Sequence, residues 1–285
     1  MRIFVAALAL LFAVAYGAAR ATREAAAQKS SASGPAYLGF DRNDYPGDAA
    51  ILALKNSFSF AGYWLNFPPG SSSDNWLGTR DRLRQAGFGF LVLFNGRTDN
   101  QLKHAKDSAA LGVSDAQAAV SAAQREGFSP RTIIFLDQEE GGRLLAEQRA
   151  YLFGWIDGVT AAGFRAGVYC SGMPASEGHG QFVVTAEDIR AHAESREIAF
   201  FVYNDACPPS PGCVYSPHSP APASSGVSFA SVWQFAQSPR RKEFTARCPS
   251  TYNKDGNCYA PNARVTGGDY LDLDSATSAD PSNGR

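Results

Sequence analysis

Acidic residues stand at or near the ends of three apolar segments of the chain. Asp41 ends the first segment, Asp137 and Glu139 lie in the sequence LDQEE, and Asp272 and Asp274 lie in the sequence DLD. In a strand, residues two apart point to the same face, so we expect Asp137 and Glu139 to face one pocket and Gln138 to turn outward. Two carboxyl groups held close raise each other's pKa, so one stays protonated while the other is charged. Hydrolysis of a glycosidic bond needs such an acid and such an anion.

The same acids allow other interpretations. The pair could cap and solvate the start of a helix, since Glu140, Gly141 and Gly142 follow directly. Clustered carboxylates also bind calcium, but no loop has the D-x-[DN]-x-[DN]-G spacing. The chain has no G-x-S-x-G, Walker, H-E-x-x-H or kinase motif, and nothing in it indicates a nucleotide, haem or flavin. We therefore expect neither a metal nor a cofactor.

Aromatic and amide residues accompany the acids at the predicted strand ends. Tyr63, Asn95 and Tyr203 are such residues. Aromatic rings suit the apolar face of a pyranose and amides suit its hydroxyl groups, so these three are candidate sugar contacts. The alternative is that the aromatic side chains fill the protein core.

Eight β-type segments with helical stretches between them must position these residues. Several segments are continuous apolar runs, such as TIIFLD and IAFFVY, which is typical of strands buried on both faces of a parallel sheet. Eight such units over about 240 residues predict a (β/α)8 TIM-type barrel of class α/β, with an open doubly wound sheet as the alternative. Active sites of such barrels lie at the carboxyl ends of the strands. The segments are 36–41, 61–66, 88–95, 132–139, 166–171, 199–204, 230–235 and 269–273.

The barrel domain is expected over 36–275, with irregular late units and a disordered tail over 276–285. Ser114 and Thr185 are predicted helix N-caps, and the predicted helices lie over 47–58, 75–86, 115–126, 142–162 and 185–194. The Pro-, Ser- and Asn-rich stretches 206–228 and 237–263 follow the sixth and seventh strands, so we expect them to form rim loops on the carboxyl face.

The ordered motifs GFD (39–41), LDQE (136–139), GVYCS (167–171), WQF (233–235) and DLD (272–274) resemble those of the glycoside hydrolase family 25 lysozymes. They are also similar to a related glycoside-hydrolase-like domain of secreted bacterial proteins. The lysozymes usually have Asn where this chain has Asp274.

The resemblance implies a muramidase-type barrel with a role for each matching residue. Glu139 would be the catalytic acid, and Asp137 its partner, which stabilises charge or orients an N-acetyl group. Asp41 and Asp272 would complete the acidic mouth. Two aromatic residues would contact sugar or support the acids: Tyr169 and Trp233.

The amino terminus and the cysteines both favour export. Residues 1–19 read as a signal peptide, an uncleaved membrane anchor being the alternative, and residues 20–35 as a flexible mature amino terminus. The spacings Cys207 to Cys213 and Cys248 to Cys258 suit two local disulfides, a zinc site being the weaker alternative. Cys170 is left over and is expected to be a buried core thiol.

The charge balance restricts the partner. The net charge is −1 and the pI about 6.4, which argues against nucleic-acid binding through a basic surface. We predict a secreted or periplasmic glycoside hydrolase that acts on cell-wall polysaccharide, with no membrane span after signal cleavage. The alternative is a non-catalytic protein that binds or remodels cell-wall carbohydrate on the same barrel.

Overall fold

The computed structural model describes residues 36–204, 219–236 and 271–285. The strands in these ranges are β1 Tyr37–Asp41, β2 Phe60–Trp64, β3 Gly89–Asn95, β4 Ile133–Asp137, β5 Arg165–Ser171, β6 Pro174–Gly178, β7 Gln181–Val184, β8 Ile198–Tyr203, β9 Val232–Ala236 and β10 Asp272–Ala276. Eight of them close into a barrel in the order β1, β10, β9, β8, β5, β4, β3, β2, and the other two, β6 and β7, form a separate hairpin. This confirms the predicted α/β barrel.

The last strand of the barrel runs against its neighbours. β1 to β5, β8 and β9 pair in parallel, whereas β10 is antiparallel to both β1 and β9. The expectation of eight parallel strands is therefore wrong for the last one. Because β10 is reversed, its first residue Asp272 pairs with Asp41, the last residue of β1. The reversal places the start of β10 at the carboxyl face of the barrel.

The helices follow the predicted alternation with shifted ends. Both predicted N-caps are wrong. Thr185 is the first residue of its helix, with Val184 as the N-cap. The longest helix begins at Ser108 with Asp107 as its N-cap, so Ser114 lies inside it. The Asp107 carboxylate accepts from the backbone N–H of Ala110, a cap that lies seven residues before the predicted one. The helices are α1 Asp48–Leu54, α2 Arg80–Gln85, α3 Asp99–Lys103, α4 Ser108–Arg125, α5 Ala146–Ala161 and α6 Thr185–Ala191, with a 3₁₀ turn at Pro222–Ser225.

Large and small residues alternate on the inner face of the barrel. Gly39 of β1 and Gly167 of β5 share that face with Asp41 and Tyr169, since they lie two residues before them. A Cβ atom at Gly39 would strike the ring of Phe60, and one at Gly167 would strike the ring of Phe135. The two glycines make room for phenylalanines that fill the lumen beneath the acidic residues.

The carboxyl-terminal residues pack on the barrel, contrary to the expected disordered tail over 276–285. Ala276 belongs to β10, and the fully buried Ser282 bonds the backbone of β3 at Phe90 and Val92. β4 pairs with β3 only from Val92 onward, so β4 leaves the backbone groups at the start of β3 unpaired. The tail provides their hydrogen-bond partners, and the Asp280 side chain accepts from the Phe90 N–H. Composition alone predicted disorder because it carries no information about this unpaired edge.

Several predictions fall outside the described residues. These are the signal peptide over 1–19, the flexible segment 20–35, and both disulfide pairs, Cys207 with Cys213 and Cys248 with Cys258. Cys170 is buried and unpaired, as expected. None of the helices in the described ranges combines the length and the apolar character needed to cross a membrane.

Candidate active site

The four predicted acids meet at the carboxyl mouth of the barrel. Asp41 ends β1, Asp272 begins β10 and Asp137 ends β4. Together with Glu139 they line one cleft of about 50 Å³. Strands far apart in the sequence thus deliver acidic side chains to a single pocket.

Glu139 reaches the cleft from beyond the strand. β4 ends at Asp137, and not at Glu139 as expected, so the two acids are not a simple alternating pair. The Tyr203 hydroxyl donates to the backbone carbonyl of Glu139 at 2.9 Å and holds this segment. Gln138 is buried, and its side-chain amide donates to Glu140 at 2.6 Å. The result is a buried acid, Asp137, beside an exposed one, Glu139.

Burial and like charge dominate the electrostatics of the cleft. The pKa of Asp137 is raised well above its ordinary value, first by burial and then by the charges of Glu139, Asp41 and Glu140. The Oδ1 atom of Asp137 has no hydrogen-bond partner. Burial also raises the pKa of Asp41, to about 6. Asp137 therefore retains a proton at pH values where an exposed aspartate is ionised.

A hydrogen-bond chain crosses the barrel from β5 to β1. The Tyr169 hydroxyl donates to Gln234 Oε1 at 2.6 Å, and Gln234 Nε2 donates to Asp41 Oδ2 at 2.8 Å. Burial, followed by the charges of the surrounding acids, raises the pKa of Tyr169, so its hydroxyl remains a donor. Gln234 is only 3% exposed and lines the cleft. Its position fixes the orientation of Asp41.

Two of the predicted sugar-contacting aromatics do not reach the cleft. Tyr63 is fully buried outside the lumen, and its hydroxyl bonds Glu126. Trp233 precedes the inward-facing Gln234, and its indole N–H donates to the Asn204 carbonyl. Alternation along a strand explains both positions, because neighbouring residues face opposite sides. The inward residue next to Tyr63 is Trp64, which does line the cleft.

The remaining predicted contacts lie at or near the cleft. Tyr169 lines the cleft itself, and its ring lies 5.4 Å from that of Tyr203. Asn95 lies in the neighbouring groove, where its amide donates to the Phe67 carbonyl at 2.8 Å. The structure thus brings together the predicted acids with Tyr169 and places Asn95 and Tyr203 at the edges.

A groove of about 740 Å³ adjoins the cleft and shares three of its residues, Pro69, Asp137 and Glu139. The exposed side chain of Phe67 contributes an apolar wall. Arg97, which also lines the groove, donates two hydrogen bonds to the Asp115 carboxylate, at 2.7 and 2.8 Å. The groove therefore combines apolar surface with polar groups of fixed orientation, the composition of a ligand site.

Within the parts of the chain that the structure describes, no three His, Cys, Asp or Glu residues are arranged to hold a metal ion. Carboxyl groups that meet in a buried cleft raise one another's pKa, which suits proton transfer.

Two residues of the cleft region were missed or undervalued by sequence reasoning. Gln234 is the middle residue of the WQF motif, but the prediction assigned the sugar contact to its aromatic neighbour Trp233. Asp274 was recognised as a strand-end carboxylate but was given no role in the predicted site, although it is fully buried and shares the inner face of the barrel with Asp41. For both, the useful signal was the two-residue period of the strand, counted from an inward-facing acid.

Comparisons with known proteins agree with the resemblance expected from the motifs. Residues 75–198 match the family model described as the Rv2525c-like, glycoside hydrolase-like domain. The matched segment includes Asp137, Glu139 and Tyr169, whereas β1 and β10 lie outside it. No curated protein matches the chain.

Several solved structures are similar in fold. An uncharacterized protein of B. stearothermophilus is 17% identical with a TM-score of 0.49, and the match covers 84% of this chain and 95% of that one. The Tat-secreted protein Rv2525c of Mycobacterium tuberculosis, in complex with L-tartrate, is 15% identical with a TM-score of 0.48, covering 85% and 95%. The catalytic domain of endolysin ply40 from bacteriophage P40 of Listeria monocytogenes is 16% identical with a TM-score of 0.46, covering 88% and 97%. Over residues 75–198 the chain is thus similar to a glycoside-hydrolase-like domain family, as its motifs led us to expect.

Proposed function

We propose that this protein is an exported glycoside hydrolase that acts on cell-wall glycan such as peptidoglycan. The observation that carries the proposal is the convergence of Asp41, Asp137, Glu139 and Asp272 on one cleft that opens into a groove. The glycoside-hydrolase-like match over residues 75–198 supports the same reaction class.

Glu139 is the proposed general acid because it is exposed at the mouth, where a glycosidic oxygen can approach it. Asp137 lies below it, buried and with a raised pKa. Because the charge of Glu139 raises the pKa of Asp137, the two acids favour a state with a single proton between them. While the shared proton is on Asp137, the Asp137 hydroxyl can donate a hydrogen bond that orients an N-acetyl group of the substrate. Once that proton has passed to Glu139, Asp137 is the anion that stabilises the oxocarbenium-like transition state.

The groove is the proposed site for the glycan chain. Its volume of about 740 Å³ is suited to a few sugar rings, and it lies directly beside both acids. Phe67 offers an apolar surface for a pyranose face, and Asn95 offers an amide at the rim. Tyr169 supports Asp41 through Gln234, and Tyr203 holds the backbone of Glu139.

Clearing of a peptidoglycan suspension tests the catalytic assignment. We expect the wild type to clear the suspension and Glu139→Gln to lose at least about 100-fold in rate, because a positioned acid contributes that much or more. Glu147→Gln is the matched control, since Glu147 lies on α5 outside the cleft and should leave the rate unchanged. Equal rates for wild type and Glu139→Gln would contradict the role of Glu139. Pelleting with cell walls without release of sugar would favour the non-catalytic alternative.

Export and the two disulfides complete the proposal. Mass analysis of the protein recovered from its natural compartment should find residues 1–19 removed. Alkylation before reduction should leave Cys207, Cys213, Cys248 and Cys258 unmodified if both local pairs form. Free thiols at Cys207 and Cys213 would exclude the first pair.

A further inference from the structure

Asp274 is a buried acid that the proposed reaction does not use. It lies on β10 two residues after Asp272 and pairs in register with Gly39 on one side and Gln234 on the other. Its side chain is fully buried. Neither of its carboxyl oxygens accepts a hydrogen bond from a protein N–H or O–H group. An ionised carboxylate so placed would lose its hydration without any replacement.

The groups that act on Asp274 are themselves acidic. Asp41 lies on β1 two residues after Gly39, the register partner of Asp274, so the two acids share the inner face of neighbouring strands. Asp272, on the same strand as Asp274, adds a further negative charge. Further along the cleft, the charge of Glu139 raises the pKa of Asp41, and the charge of Asp41 raises the pKa of Asp137. Ionised carboxyl oxygens only accept hydrogen bonds, so a bond between Asp274 and Asp41 requires one proton between the two groups.

The hydrogen-bond chain across the barrel indicates which partner carries that proton. Gln234 uses its Oε1 atom to accept from Tyr169, which leaves its Nε2–H to donate to Asp41 Oδ2. Asp41 is thus placed as an acceptor, and an ionised Asp41 takes two donors, Gln234 and Asp274. An ionised Asp274 would take none. The direction of its pKa agrees, raised well above the ordinary value by burial and then by the charge of Asp41.

We propose that Asp274 is a positioning residue that keeps its proton at neutral pH and donates it in a hydrogen bond to Asp41, holding Asp41 as the anion of the cleft. The proton itself is a property of the folded chain, and only its effect on turnover rests on the proposed function. That effect passes through charge, because the Asp41 carboxylate raises the pKa of Asp137. Without the donor, Asp41 takes up a proton more readily, and its influence on Asp137 falls.

Carbon NMR of the full-length protein, labelled with 13C at the aspartate side-chain carboxyl carbons, tests the proton directly. The Asp274 resonance is identified as the one that disappears in Asp274→Asn. We expect it to keep the position of a protonated carboxyl from about pH 5 to about pH 8, whereas an ordinary aspartate titrates near pH 4. A carboxylate position for Asp274 at about pH 7 would overturn the proposal.

Two variants and a control separate positioning from simple packing. Asp274→Asn keeps a donor toward Asp41, so the Asp41 titration should stay within about half a pKa unit of wild type. Asp274→Leu has a similar volume but no donor, so the Asp41 midpoint should rise by about one pKa unit or more. Ser275→Ala, at the next and oppositely facing position of β10, should leave the Asp41 titration unchanged. If the Asn and Leu variants shift Asp41 equally, Asp274 does not act as a donor.

The catalytic arm distinguishes this proposal from the proposed function. In the clearing assay we expect Asp274→Asn to stay within about threefold of wild type and Asp274→Leu to fall at least about tenfold, with its pH optimum shifted. If the wild type cleaves no glycan, the proposed function fails, while the NMR result still decides the proton on Asp274. If the wild type cleaves glycan but Asp274 titrates as an ordinary aspartate, only the present inference fails.

Discussion

Replacing Gln234 by Leu should destabilise the protein more at high pH than at low pH. The amide joins two buried partners, the Tyr169 hydroxyl and the Asp41 carboxyl, so Leu leaves both without this contact. Losing a hydrogen bond to a charged group costs about 1.5–3 kcal/mol, and losing one between neutral groups costs about 0.5–1.5 kcal/mol. The first cost applies only while Asp41 is ionised.

The sign of the pH effect follows from the pKa of Asp41. Burial raises this pKa from 3.8 to about 6, so the folded protein binds the proton more tightly than the unfolded chain. The contribution of Asp41 to stability is therefore highest below about pH 4 and falls as the pH rises through about 6. At about 1.4 kcal/mol per pKa unit the charge of Asp41 already costs about 3 kcal/mol at pH 8. Loss of the Gln234 donor raises the pKa of Asp41 further and increases the free-energy cost of its charge at high pH.

Urea unfolding at pH 5 and pH 8 measures this difference. We expect Gln234→Leu to lose about 1–2 kcal/mol at pH 5 and about 3–4 kcal/mol at pH 8. Gln148→Leu is the matched control, because Gln148 is another buried amide, and its Oε1 accepts from the Leu145 N–H on α5, away from the cleft. Its loss should be equal at the two pH values. An equal loss for Gln234→Leu at both, or a larger loss at pH 5, would refute the assigned ionisation of Asp41.

Three further outcomes follow from individual contacts. Cys170 is fully buried, and burial raises the pKa of its thiol, so iodoacetamide should label it in urea but not in the native protein; rapid native labelling would contradict its core position. Ser282→Ala removes the hydroxyl that accepts from the Val92 N–H and should lower the free energy of unfolding by about 1–3 kcal/mol, whereas an unchanged urea midpoint would show that the tail adds nothing. Tyr203→Phe removes the hydrogen bond to the Glu139 carbonyl and should slow glycan clearing several-fold while changing stability by about 1 kcal/mol or less; a clearing rate equal to that of the wild type would exclude a role in holding Glu139.

The sequence predicts the barrel well because its apolar segments are long, evenly spaced and separated by helices. It does not predict the direction of β10, since an apolar segment such as that around Leu273 has the same pattern when read in either direction. Strand direction depends on the end of the barrel at which the chain enters the strand. The sequence between β9 and β10 has no pattern that indicates this end. The prediction that Asp272 lies beside Asp41 succeeded because reversing the strand left its acidic end at the same rim.

The sequence predicted less well which side chains point into the barrel. Tyr63 and Trp233 each lie one position away from a residue that does face the cleft, Trp64 and Gln234. A shift of one residue along a strand moves a side chain to the opposite face. A short motif therefore does not show by itself which of its residues points into the barrel. Counting by twos from Asp272 identifies Asp274 as inward-facing, and the register of β10 with β9 then gives Gln234.

The energetic cost of the acidic cleft is itself an argument for a functional site. Asp41 and Asp137 both have raised pKa values, and burial is the largest cause for each. A fold selected for stability alone would place apolar residues here, because replacing buried ionisable groups with apolar residues of similar volume is often neutral or stabilising. Perturbed carboxyl groups that share a cleft are instead the pattern expected where a proton must be held and released. The property that destabilises the barrel mouth is thus the one that proton transfer to a leaving oxygen would need.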